Sequence, residues 1–309
     1  MQFSKKLLLF LLKRLFLFFA INVLVVVTLS ALLSFSGLLS YLSKFGFGLS
    51  VLALVCLIWG IGGALISLAL SRTVARRLMR VQTIDPQKGS AVHLQLFQTV
   101  KRLSCDAGLS STPQVGVFHS SEMNAFATGP SQKRALVAVS TALLENMESS
   151  EVEAVLGHEI SHIANGDMVT MTLMQGVVNA FVMFLSNILY YSLCLSIARN
   201  RPLARVAIYL VTLLFELLFM GLGWILISFF SRWREFRADR GGAALSSKEK
   251  MISALKRLKE NARVTQHQRA ECAALNAMMI SRPKKSALFD LFSTHPSLDR
   301  RIQRLEERI

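Results

Sequence analysis

Gly157-His158-Glu159-Ile160-Ser161-His162-Ile163-Ala164-Asn165-Gly166-Asp167 contains one HExxH, and an uncharged run that opens at Met168 follows it at once. On a helix, residues four apart stand above one another, so His158 and His162 can present both imidazoles to one metal ion while Glu159 addresses a water. Histidine pair and carboxylate together are the minimal set for hydrolysing a peptide bond with zinc. The apolar run beside them puts that chemistry at a membrane.

Upstream of the motif the chain is polar from Glu145 to Glu153, and Ser150 with Glu153 makes a capping-box pattern predicting the helix start. Gly157 is expected to leave room on the face where metal and substrate approach. Further back, Leu94, Phe97, Val100 and Leu103 give helical spacing over His93 to Ala107. Val115 to Phe118 and Leu136 to Val139 read as strands, and Asn124 to Ala127 as an edge strand closed by Gly129-Pro130. A small sheet followed by the metal helix is the implied order for residues 73–167.

Hydrophobic residues make up 52% of the chain, well above the balance of a soluble domain, and a multi-spanning membrane protein is expected. No charge interrupts Leu15 to Ser43 or Phe45 to Ser71, and each is long enough to cross the bilayer. The first stretch is too long for a signal peptide and lacks an A-x-A cleavage site, so it reads as an uncleaved span. Basic residues flank this pair at its distal ends, Lys5, Lys6, Lys13 and Arg14 before it and Arg72, Arg76, Arg77 and Arg80 after it. The turn holds only Lys44, so the N-terminus and the following domain are expected in the cytoplasm. Met168 to Ala198 and Val206 to Ser231 are a second apolar pair, but Arg199, Arg201 and Arg205 in their connection run against the positive-inside rule. Residues 232–309 return to a polar, helical pattern, with Leu298, Ile302, Leu305 and Ile309 as the apolar stripe of the last helix.

The fold class is therefore a mainly α membrane protein. An N-terminal transmembrane pair (1–72) precedes an α+β metallopeptidase domain (73–167 and 232–309), which is interrupted by the second apolar pair (168–231). The net charge of +16 fits cytoplasmic parts beside anionic lipid, and no nucleic-acid-binding signature accompanies it. Cys56, Cys105, Cys194 and Cys272 are scattered with no CxxC pair, so neither a disulfide framework nor a cysteine zinc site is indicated.

Catalytic zinc takes three protein ligands, so a third must lie outside the helix. The metzincin pattern would need Gly at 165 and His at 168, where the chain has Asn165 and Met168. Glu216 sits mid-span, roughly 28 Å along a continuous helix from Glu235, which emerges just beyond the apolar stretch. Glu235 is the better ligand. Asp239, one turn later on the same face, is placed to accept the second N–H of a ligating imidazole.

MNAFATG at 123–129, GHEISHIANGD at 157–167, SRWREFRAD at 231–239 and STHPSLDRRI at 293–302, in this order among the apolar stretches, resemble the HtpX heat-shock zinc proteases. That family is similar to the CAAX prenyl proteases. The resemblance implies one zinc per chain on His158, His162 and Glu235, Glu159 as catalytic base, and Asp239 as supporting acid. It also implies that Asn124 holds substrate backbone and that His295 and Arg301 lie near the site. The implied setting is the bacterial inner membrane, with misfolded or damaged membrane proteins as substrates, in quality control and stress response. For His295, donation to an oxyanion stands beside a capping or packing role for Thr294-His295-Pro296. Trp233 and Arg237 depart from the expected pattern but are not expected to touch the ligands.

Two other readings compete. An intramembrane site-two-type protease places HExxH inside a span, against the polar approach from Glu145 to Glu153. A non-enzymatic scaffold or transporter with a structural metal needs a fourth protein ligand closing the site.

Overall fold

A computed structural model describes residues 48–88, 90–197, 202–274 and 293–307. The apolar stretch Leu15 to Ser43 lies outside these. The described elements are α1 (Leu49–Leu78), β1 (Gln82–Thr83), α2 (Ala91–Asp106), β2 (Gln114–Phe118), β3 (Ala125–Thr128), β4 (Leu136–Ser140), α3 (Thr141–Asn146), α4 (Ser149–Ala164), α5 (Asp167–Ile197), α6 (Pro202–Leu245), α7 (Lys248–Ala274) and α8 (Leu298–Glu306). They divide into two compact units.

Among the described residues, the first unit holds 48–65, 173–197 and 202–227, the apolar lengths of α1, α5 and α6, together with 270–274. These three are the described helices long and apolar enough to cross a membrane. Leu52, Cys56, Val182, Met183 and Met220 form their shared core. Leu54, Ile58, Phe181, Leu214 and Leu218 are exposed, as side chains that meet lipid should be.

Among the described residues, the second unit comprises 66–88, 90–172, Ser228–Arg269 and 293–307. Its sheet runs β1-β2-β4-β3. The central strands β2 and β4 pair in parallel, Val115 opposite Val137 and Val117 opposite Val139, and are almost wholly buried. A parallel pair buried on both faces suits their β-branched sequences. β3 pairs antiparallel with β4 and forms the sheet edge, where the sequence places it. β1 was not foreseen; two residues are too few to carry a period.

Helices α2 and α4 pack on this sheet through Leu96, Val100, Leu103, Leu156, Ile160 and Ile163. A second core joins Leu143 and Val155 to Met251, Ala254 and Leu255 of α7 and to Ile302 and Leu305 of α8. The stripe expected on the last helix is thus used at Ile302 and Leu305. The start of α4 differs from the expected box: Glu148 is the N-cap, and its N–H donates to Glu151 Oε2 at 3.1 Å. Glu153 instead receives Arg102 at 2.6 Å and Lys250 at 2.9 Å. Three acidic residues compete for one helix start, and the two basic neighbours take Glu153 away.

Gly157 also serves differently from expectation. A Cβ there would meet the Gly242 carbonyl oxygen at 3.2 Å, and one at Gly242 would lie 2.9 Å from the His158 nitrogen. The glycines bring the backbones of α4 and α6 together; they do not open the metal face. This approach carries Glu235 and Asp239 to the histidines.

Candidate metal centre

The imidazoles of His158 and His162 stand edge to face, with centroids 4.6 Å apart. Their Nε2 atoms are 3.1 Å apart. Glu235, 2% exposed, brings Oε1 to 3.4 Å from His162 Nε2 and Oε2 to 3.6 Å from His158 Nε2. The outward nitrogens are both engaged: His158 Nδ1 lies 3.0 Å from Asp239 Oδ1, and His162 Nδ1 lies 2.6 Å from Asp167 Oδ2. A carboxylate at Nδ1 keeps the proton on that nitrogen. Both Nε2 lone pairs then face one another and the Glu235 carboxylate.

Three buried acceptors pointed at one volume need a cation between them. Around a tetrahedral ion with bonds near 2.0 Å, ligand atoms stand about 3.3 Å apart; here the two Nε2 atoms are 3.1 Å apart, and a Glu235 oxygen lies 3.4 Å from one of them and its other oxygen 3.6 Å from the other. The residues fit a metal.

Without one, protons take its place. Burial alone would lower the pKa of His158, but its hydrogen bonds to Asp239 and Glu235 outweigh this and raise it to about 9. His162 is likewise raised, Asp167 and Glu235 outweighing burial.

Arg301 grips Asp239 with two bonds, Nε to Oδ2 at 2.8 Å and Nη2 to Oδ1 at 2.5 Å. Its Nη2 is also 3.4 Å from His158 Nδ1, but guanidinium only donates, so the closer Asp239 receives the imidazole proton. His295 is exposed and sets Nδ1 3.0 Å from Glu235 Oε2. Of the roles weighed for its segment, capping falls to Ser297, whose Oγ accepts from Arg300 N–H at 3.4 Å. Arg232 Nη1 donates to the Ser293 carbonyl at 2.7 Å and ties the segment to α6.

Glu159 is half-buried and lines a cavity of about 180 Å³ together with His158, Glu235, His295 and Arg301. Asn124 at the start of β3 lines it too, and Leu143, Val155, Met251, Ala254 and Leu255 make an apolar wall. All eight residues singled out from the sequence, His158, Glu159, His162, Glu235, Asp239, Asn124, His295 and Arg301, thus stand around one site. Glu216 is buried elsewhere, on the apolar length of α6.

Asp167 was missed, although it ends the quoted segment; an acid just past the helix-terminating glycine was the available signal. Trp233 and Arg237 reach the site indirectly, through Asp167 and not through a ligand. Arg237 Nη2 lies 2.5 Å from Asp167 Oδ1, and its guanidinium stacks 5.2 Å above the Trp233 ring.

A metal-ready triad with a carboxylate between its histidines, beside a strand at the sheet edge and in a chain with apolar helices, defines the class as membrane metalloprotease. Residues 90–309 match the family described as Peptidase family M48, and the chain belongs to that family. The Protease HtpX homolog of Bacillus velezensis is 45% identical over 303 residues, covering 96% of this chain and 99% of the relative. Protease HtpX of Thioalkalivibrio sulfidiphilus is 43% identical over 296 residues, covering 95% and 98%. Among solved structures, Ste24p of S. mikatae is similar in fold, with a TM-score of 0.60 and 18% identity over 98% of this chain and 67% of that one. The protein is a membrane-bound metalloprotease that hydrolyses peptide bonds of protein substrates.

Proposed function

We propose that this protease holds one zinc ion per chain on His158, His162 and Glu235 and cleaves misfolded or damaged membrane proteins at the cytoplasmic face of the bacterial inner membrane. The observation that carries the reading is the convergence of three buried acceptors with ligand-sized spacing. A His₂Glu set with Nε2 donors suits zinc among the divalent ions. Residues 1–72 are assigned as the anchor and 168–231 as a second membrane pair, with 73–167 and 232–309 forming the catalytic part.

When bound, zinc supplies Lewis acidity toward a water and the scissile carbonyl. Glu159, between the ligands and facing the cavity, takes the proton of the attacking water and delivers it to the leaving amine. An extended substrate adds to the edge of β3 beside Asn124, so backbone hydrogen bonds carry most of the recognition. The wall of Leu143, Val155 and Met251 takes an apolar side chain next to the scissile bond. His295, with Nδ1 on Glu235, holds that carboxylate in place.

Peptide-backbone recognition needs an unfolded strand, which damaged membrane proteins offer and folded ones do not. The basic cluster Arg72, Arg76, Arg77 and Arg80 after the anchor supports the cytoplasmic side and therefore quality control under stress. The test is cleavage of an unfolded membrane-protein reporter by purified protein. Loss with chelator and recovery with zinc is expected; cleavage that persists in chelator contradicts the reading.

A further inference from the structure

We propose that Asp167, held by Arg237 over Trp233, is a positioning residue that fixes the His162 ring and sets how tightly the metal is bound. This rests on the metal site proposed above. Its ground is a repetition in the structure: His158 is backed by Asp239 and then Arg301, and His162 by Asp167 and then Arg237. Each arm puts a buried carboxylate on Nδ1 and a guanidinium behind it. The arms share α6, which carries Asp239 and, two residues after Glu235, Arg237, but the first is completed by Arg301 on α8 and the second by Asp167, which opens α5.

Asp167 reaches His162 because Gly166, at φ +67°, turns the chain sharply between α4 and α5. Its carboxylate is 2% exposed, with Oδ2 on the imidazole and Oδ1 on Arg237, while Arg234 Nε stands 4.0 Å away. A carboxylate so buried needs the second partner to satisfy its other oxygen and to hold its orientation. Arg237 Nε has no hydrogen-bond partner among the described residues, so the guanidinium is placed by Asp167 and by the Trp233 face. Both imidazoles are then locked with Nε2 inward before any metal arrives. Loss of either arm releases one ring, and partners of this kind are worth roughly 10- to 100-fold in metal affinity.

The experiment compares full-length, detergent-solubilised wild type with Asp167→Asn, Arg237→Gln, Arg237→Lys and Trp233→Leu. Zinc affinity is read by chelator competition, and Co²⁺ substitution reports ligand geometry through its visible absorption. Circular dichroism of each metal-free variant checks the fold. Arg237→Gln is expected to weaken zinc by roughly 10-fold and shift the Co²⁺ spectrum, Trp233→Leu to do so by less, and Arg237→Lys to recover part of the loss. If Asp167→Asn does not fold, Arg237→Gln decides alone. Folded variants with wild-type zinc affinity and an unchanged Co²⁺ spectrum overturn the inference and leave the proposed function standing. A wild type that binds neither ion overturns the proposed function itself.

Discussion

His158 Nε2 and His162 Nε2 face each other across 3.1 Å while both Nδ1 atoms are turned onto carboxylates. Two lone pairs held this close repel unless a proton or a metal lies between them. The site is therefore set to exchange one for the other.

From that exchange follows a pH dependence. In the metal-free protein the folded pKa of His158 is raised from 6.5 to about 9, so its contribution to stability is complete below pH 6.5 and is lost as pH rises through 9. Zinc must displace these protons, and its affinity rises over the same window. Thermal unfolding in chelator should show a falling Tm from pH 6.5 to 9, on the order of a few kcal/mol in stability. The zinc-loaded protein should not show this fall.

Gly242 tests the helix approach. In Gly242→Ala the new methyl would sit 2.9 Å from the His158 nitrogen and 3.1 Å from its Cα, where backbone cannot give way. We expect about 1 to 3 kcal/mol of destabilisation and weaker zinc binding, because α6 carries Glu235 away as it retreats. Denaturant unfolding and chelator competition measure both.

Arg301→Ala leaves the buried Asp239 carboxylate without its bidentate partner. A loss of about 3 to 5 kcal/mol is expected. Arg301→Lys should recover only part of it, since an ammonium cannot make the fork of two bonds. Urea unfolding of both variants in zinc checks the order.

At the strand edge, the hydrogen bonds that tie Asn124 to Ser140 are made by the Asn124 backbone, its N–H to Ser140 Oγ at 2.9 Å and its carbonyl to Ser140 N–H at 2.8 Å. Replacing the side chain leaves them. Asn124→Ala should therefore fold normally yet raise KM for an unfolded reporter by roughly 10-fold, one or two lost hydrogen bonds, with a smaller change in kcat.

Much of this site was legible because its signals are local or follow from one distance. His158 and His162 share a helix face by spacing alone, and Glu235 was preferred over Glu216 because it leaves the apolar stretch. The buried runs at 115–118 and 136–139 announced the central strands, and turn residues bounded the edge strand. Asp167 was only partly legible: an acid just past Gly166 is a local signal, but its bond to His162 depends on the turn there and on Arg237, 70 residues later. Gly157 was read from its neighbour in sequence, whereas its partner in space is Gly242. The α4 cap moved to Glu148 because Arg102 and Lys250, distant in sequence, claim Glu153.

The proposed mechanism makes Glu159 the base beside a zinc held by His158, His162 and Glu235. Its most direct measurement is Glu159→Gln, assayed for zinc content and for cleavage of an unfolded membrane-protein reporter. One zinc per chain retained and cleavage reduced by roughly 10²- to 10⁴-fold are expected. Undiminished cleavage by that variant would contradict the mechanism.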